Sequence, residues 1–207
     1  LQTFVKHGGQ RAVMTGTCTE YDWAQGSCSE STTPLTPATL YGSCKNALRE
    51  MLDAFSRENG LSSAWGRIFF VYGPGEHPDR LVSSVICSLL RGESIPCSSG
   101  HQKRDFLFVE DVASAFVALL GSDVKGAVNI GSGVAVSVRE IIETISEKMG
   151  SSDLIRYGEL PVPPNDPPLL VADVRRLREE VRWVSRYSLS QGLEKTIEWW
   201  KDNLKKR

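Results

Sequence analysis

The segment Ala64-Trp65-Gly66-Arg67-Ile68-Phe69-Phe70-Val71 is an almost unbroken apolar run that stops at Gly73-Pro74-Gly75. A strand buried on both faces reads this way, and such strands belong in parallel sheets covered by helices. The flanking sequence agrees. Before the run, Ala38 to Asn59 carries Leu40, Ala47, Leu48, Met51, Leu52 and Phe55 at helical spacing and stops at Gly60. Earlier still, Arg11 to Gly16 is a short strand-like run, and Leu1 to His7 reads as the last turns of a helix closed by Gly8-Gly9. After the run, helices are expected near Arg80 to Arg91, Glu110 to Leu120, Val138 to Met149, Val174 to Val181 and Leu189 to Asn203. Strands are expected at Phe106 to Val109 and Ala127 to Ile130, with a Pro-rich crossing at Leu160 to Pro168. Strands alternating with helices predict an α/β fold with crossover helices on a parallel sheet.

Size and charge narrow the function classes. A chain of 207 residues suffices for one domain, or one domain plus a small lobe. The formal net charge of -1 provides no field for nucleic acid or an anionic membrane. The basic tail Lys201, Lys205, Lys206 and Arg207 is interleaved with Glu194, Glu198 and Asp202, as on a solvated helix face. The five cysteines, Cys18, Cys28, Cys44, Cys87 and Cys97, are odd in number and lack CxxC pairing, so reduced thiols are expected rather than a disulfide framework or a zinc site. His7, His77 and His101 are scattered without ligand spacing, and no metal is expected. No apolar run of about 18 residues and no signal-type opening is present, which points to a cytoplasmic, non-membrane protein. Trp199-Trp200 is read as sealing the terminal helix against the core, with a sugar-stacking platform as the alternative.

The chemistry centres on Tyr41-Gly42-Ser43-Cys44-Lys45. Four residues are about one helical turn, so Tyr41 and Lys45 share a face. An ammonium beside a phenol favours the phenolate and makes the tyrosine a usable proton donor or acceptor. A hydroxyl at Thr17, at the end of the first strand, can hydrogen-bond a reacting oxygen. Alone, the Tyr-Lys spacing also fits an ordinary solvent-facing pair. Four more blocks occur with it: Thr15-Gly16-Thr17-Cys18-Thr19-Glu20-Tyr21, Arg67 to Gly75, Arg104-Asp105-Phe106-Leu107-Phe108-Val109-Glu110-Asp111-Val112, and Val128-Asn129-Ile130-Gly131-Ser132-Gly133. In this order the sequence resembles the C-terminal two-thirds of an extended short-chain dehydrogenase/reductase, of the NAD-dependent nucleotide-sugar epimerase/dehydratase family.

That resemblance implies a partial Rossmann-like parallel sheet with a small C-terminal substrate-binding lobe. Residues 1–75 and 104–133 would form the sheet domain, and 76–103 and 134–207 mainly the lobe and terminal helices. Tyr41 would be the general acid/base and Lys45 would orient it and bind the nicotinamide ribose, the two together forming the cofactor contact. Thr17 would hold the substrate hydroxyl or ketone, its oxygen and the Lys45 ammonium both within hydrogen-bond range of the Tyr41 hydroxyl, directly or through one water. Arg104 would clamp the substrate diphosphate, a salt bridge to Asp105 or Asp111 being the alternative. Asp166 would meet the nucleotide ribose, or else cap a turn.

Two departures leave base and sugar open: Phe70 stands where many members carry asparagine, and a late arginine is replaced near Pro163. Cys18 and Thr19 stand where the 4,6-dehydratase branch has Asp-Glu, which disfavours dehydration and leaves epimerisation or 4-keto reduction. The cofactor implied is NAD or NADP, although no GxxGxxG occurs and the pyrophosphate-binding segment is expected to be absent. On this reading the chain is truncated and inactive alone. The alternatives are a non-catalytic nucleotide-sugar-binding module and a structural subunit completing another chain's sheet. Loss of a neighbour beside Ala12 to Thr15 would leave an open edge, so a homo-oligomer, a complementing chain, or cover from the residues before Gly9 is expected.

Overall fold

A computed structural model of the protein describes residues 1–162, 164 and 166–204. The chain opens with α1 (Gln2–Lys6), β1 (Arg11–Thr17), the short β2 (Ser27–Cys28) and α2 (Leu40–Asn59). Then come β3 (Ser62–Ile68), β4 (Phe70–Tyr72), α3 (Leu81–Leu90), β5 (Ile95–Cys97), β6 (Lys103–Arg104) and β7 (Phe106–Phe108). The remainder is α4 (Val109–Gly121), β8 (Gly126–Ile130), β9 (Val136–Ser137), α5 (Val138–Met149), β10 (Ile155–Tyr157), β11 (Leu169–Ala172) and α6 (Leu189–Asn203).

The organising sheet is parallel, in the order β1-β3-β8, with Arg11 opposite Ser62 and Ile68 opposite Ile130. The apolar run read as one strand is in fact two. The amide of Phe69 still donates to Ile130 O at 3.1 Å, whereas that of Phe70 donates to Asp105 O at 3.1 Å. The chain thus steps off the central sheet within one residue, and β4 pairs in parallel with β7. The step places Phe70 between two cores. One gathers Tyr21, Val128 and Ile130 with the late residues Leu170, Ala172 and Leu177. The other joins α3, α5 and α6 through Ile86, Ile141, Ile145, Leu193 and Trp200. Trp200 is buried, as a seal for α6 requires, and stands edge-on to Trp199 at 4.9 Å between ring centroids.

Helices α2 to α6 fall where the spacing predicts. In α2 the Thr39 hydroxyl accepts from Gly42 N at 3.0 Å, and Gly60 ends the helix in the left-handed region. The helix expected at Val174 to Val181 is instead a π-helical turn, Arg176–Glu180, whose Arg176 guanidinium bonds the carbonyls of Ala127 and Lys125 at the start of β8. The far edge of β1 pairs with no strand among the described residues. The segment before Gly9 forms α1, which has no buried side chain.

Candidate active site

At the end of β1 the chain turns sharply. The Thr17 hydroxyl accepts from Thr19 N at 3.3 Å, while the Glu20 carboxylate accepts from Thr17 N at 2.9 Å, a reciprocal capping box. The turn lets the first residues of α2 come very close. A Cβ on Gly42 would lie 2.3 Å from the Thr19 carbonyl oxygen, so the residue after Tyr41 must be glycine. This approach brings Tyr41 and Thr17 to one cleft of about 470 Å³, which also has Ile68 and Phe70 in its wall. The C-terminal ends of parallel strands are where open α/β sheets take ligands.

Tyr41 is 55% exposed, free for a ligand to reach. One turn on, the Lys45 ammonium lies 6.0 Å from the Tyr41 ring centroid and donates to Thr15 O at 2.9 Å, which pins α2 to β1. No direct hydrogen bond joins the Tyr41 hydroxyl to Thr17 or Lys45 among the described residues. The structure thus brings Thr17 and Tyr41 to the cleft, while Lys45 is placed beside the Tyr41 ring by its bond to Thr15 O.

Behind the cleft lies a buried polar network that the sequence reading missed. Glu20 is 0% and Arg67 2% exposed, and Arg67 Nε donates to the Glu20 carboxylate at 2.7 Å. Trp65 Nε1 donates to the same carboxylate at 2.9 Å. Arg67 also donates to the Tyr21 hydroxyl at 2.9 Å, which in turn donates to Asn129 Oδ1 at 2.8 Å. Burial pushes the Tyr21 phenol well above its ordinary range, so it stays protonated and able to donate. The Asn129 amide nitrogens then reach Cys28 O and, from the backbone, the Glu30 carboxylate. The pattern Thr17-x-x-Glu20, a capping-box signature, was the available signal for Glu20. Cys18 belongs to this interior: burial first, then the charges of Cys28 and Asp105, push its thiol up to about 12.

A second cleft of about 250 Å³ adjoins the first along Phe70, Val71 and Arg80, and here Arg104 and Asp166 meet. Their side chains form an ion pair, and Arg104 also donates to Lys103 O and Pro167 O, each at 2.8 Å. The alternative partners for Arg104 are otherwise engaged. Asp105 accepts from the amides of Ser132, Gly133 and Ala172, and Asp111 from those of Arg186 and Tyr187. Asp166 is thus the ion-pair partner of Arg104. Phe70, in place of the asparagine, holds its ring 5.7 Å from the Arg104 guanidinium. Pro163, Lys205, Lys206 and Arg207 lie outside the described residues. Among the described residues no group of His, Cys, Asp and Glu suits a metal ion, and no helix is long and apolar enough to cross a membrane.

A parallel sheet with a Tyr-x-x-x-Lys helix laid against its edge strand, facing an arginine-lined cleft, defines a Rossmann-like α/β protein of the dehydrogenase/reductase type. The model of the NAD dependent epimerase/dehydratase family matches residues 1–131, and the chain belongs to that family. UDP-glucuronic acid decarboxylase 1 of Xenopus tropicalis is 30% identical over 83% of this chain and 41% of its own length. The dTDP-glucose 4,6-dehydratase of Neisseria gonorrhoeae is 29% identical over 85% of this chain and 54% of its own length. The chain therefore spans about half the length of these curated relatives. The structure of MoeE5 in complex with UDP-glucuronic acid and NAD superposes with a TM-score of 0.84 at 34% identity, over 98% of this chain and 68% of MoeE5. Because a dehydratase stands among these relatives, the expectation against dehydration draws no support from them.

Proposed function

We propose that this chain carries the substrate-facing part of an NAD(P)-dependent enzyme that epimerises or reduces a nucleotide-activated sugar. The observation that carries the reading is the continuity of the two clefts: Thr17 and Tyr41 face one end and Arg104 and Asp166 the other, with Phe70 between them. A nucleotide sugar needs such an arrangement, with a proton-transfer group at the sugar and cationic and ribose-binding groups at the nucleotide.

The residues present fit the nicotinamide end of the cofactor. Lys45 spends one N–H on Thr15 O and keeps two for a ribose, and Tyr41 stands exposed beside it. When bound, the nicotinamide would supply the acceptor and donor of a hydride. Tyr41 would take the proton from a sugar hydroxyl and return it. Thr17 would hold that oxygen, and Lys45, beside the Tyr41 ring, would orient the phenol. Epimerisation or reduction is favoured over elimination because the Cys18 thiol, buried and held protonated, is a poor replacement for a carboxylic acid. On the nucleotide side, Arg104 would meet the diphosphate and Asp166 the ribose.

The edge of β1, which pairs with no strand among the described residues, supports a second reading, a subunit whose sheet is completed by another chain or another copy. Thermal unfolding with UDP-, dTDP-, GDP- or CDP-sugars, each with and without NAD(P)H, separates these readings. The enzyme reading expects a rise with a nucleotide sugar and a further rise with NAD(P)H. A rise with nucleotide sugar alone would favour a binding module. No rise with any ligand, together with co-purification of another chain, would favour the subunit.

A further inference from the structure

The turn that leaves α2 builds another cleft, at the end of the sheet away from Thr17. Gly60, in the left-handed region at φ 66°, reverses the chain and sets the last turn of α2 beside the start of β3. Across the sheet Ala64 lies opposite Gly126, which brings Ser63 near Lys125. The resulting cleft of about 310 Å³ is lined by Asp53, Ser56, Arg57, Ser63 and Lys125 and shares no lining residue with the two clefts above. Five strand positions, about 16 Å, separate Ser63 from Ile68 in the wall of the larger cleft.

The polar groups here lack partners. A serine inside a helix either faces water or turns its hydroxyl onto the carbonyl four residues back, as Ser43 does to Thr39 O at 3.0 Å. Ser56 does neither: its Oγ is buried with no hydrogen-bond partner. Ser63 is 7% exposed, and its hydroxyl too bonds nothing among the described residues. Arg57 and Lys125 are exposed, and neither head group has an ion pair or hydrogen bond among the described residues. The groups that would repel an anion are already engaged. Asp53 pairs with Arg49 at 2.7 Å, and the Ser56 carbonyl takes the amides of Gly60 and Leu61. Two exposed cations alone would be an ordinary solvated pair. Two hydroxyls withdrawn from water beside them, each with a proton and no acceptor, point to an occupant that accepts.

We propose that this cleft binds a phosphoryl-type oxyanion, Arg57 and Lys125 meeting its charge and the Ser56 and Ser63 hydroxyls donating to its oxygens. The donors come from α2, from β3 and from the approach to β8, so they reach the cleft from several sides. A tetrahedral oxyanion presents oxygens in several directions, whereas a carboxylate presents two in one plane. The cleft has room for a small phosphate ester as well as for the free ion. Once bound, the ion ties the last turn of α2, the helix that carries Tyr41 in its first turn, to the starts of β3 and β8.

Titration calorimetry of the chain with inorganic phosphate and, separately, with glycerol 3-phosphate and acetate tests this. Both phosphates should bind saturably and more tightly than acetate, and the tighter of the two identifies the source as the free ion or an ester. Arg57→Gln combined with Lys125→Gln should weaken inorganic phosphate by about tenfold or more, and Ser63→Ala by a smaller factor. Neither variant should lower the unfolding midpoint measured without phosphate, because the groups removed bond nothing in the protein. Added phosphate should raise the midpoint of the unsubstituted chain and leave that of the double variant nearly unmoved. Phosphate binding that the double variant retains in full, acetate binding as tight as phosphate, or no saturable phosphate binding at all would each overturn the proposal. None of these results touches the nucleotide-sugar reading, whose clefts lie elsewhere on the sheet.

Discussion

Glu20→Gln is the substitution whose cost the structure sets most clearly. The carboxylate accepts from Arg67 Nε, Trp65 Nε1 and Thr17 N, in a place where neither it nor Arg67 meets solvent. A glutamine offers one acceptor oxygen, and its NH2 must face one of those donors. One N–H is then left unbonded and the Arg67 charge uncompensated. Breaking a buried pair from one side costs about 3–5 kcal/mol. At about 2–4 °C per kcal/mol for a chain of this size, the unfolding midpoint should fall by about 6–20 °C. Urea unfolding monitored by circular dichroism gives the free energy directly, provided the transition is two-state. Glu143→Gln is the control, since its i,i+4 pair with Arg139 is 47% and 39% exposed on the two side chains and should change stability by about 0.5 kcal/mol or less. Combining Glu20→Leu with Arg67→Met should regain what the stranded charge costs, but not the bonds of Trp65 and Thr17. A cost for Glu20→Gln no larger than that of the control would refute the argument that this ion pair holds the end of β1.

Three further outcomes are expected. Once turnover of a nucleotide sugar is in hand, Tyr41→Phe should abolish it while leaving the nucleotide-sugar Kd nearly unchanged, and an unaltered kcat would assign the proton transfer elsewhere. Gly42→Ala places a Cβ 2.3 Å from the Thr19 carbonyl oxygen and should cost about 1–3 kcal/mol, read as a lower Tm. Cys44 is exposed, the other four thiols are buried, and burial pushes Cys18 and Cys28 up to about 12, so mass spectrometry after native alkylation near neutral pH should find Cys44 labelled first and the rest only after unfolding.

What the sequence made legible follows the range of the interaction. The Tyr41-Lys45 spacing, the long helices and the strand ending beside Thr17 are set by neighbours in the chain, and each lies where periodicity places it. β2, β6 and β9 have two residues each and carry no periodic signal; they exist because β11 and its neighbours align them. The Arg104-Asp166 pair joins positions 62 apart, so each residue could be nominated but not paired. Phe69 and Phe70 look alike in sequence, and only the tertiary pairing reveals that one closes the central sheet and the next opens another. Glu20 was concealed for a different reason: an acid beside a tyrosine reads as a surface position until Arg67 and Trp65 are brought against it.

The two ends of the double cleft are held in different ways. At the Thr17 end, the chain of bonds from Glu20 through Arg67 and Tyr21 to Asn129 stitches β1, β3 and β8 together, and Thr17 is fastened to it by its own amide. At the other end, Arg104 forms an ion pair with Asp166 and donates to Lys103 O and Pro167 O. On the proposed function, a substitution at Asp166 would therefore disturb the Arg104 end of the double cleft and leave the bonds that hold Thr17 in place.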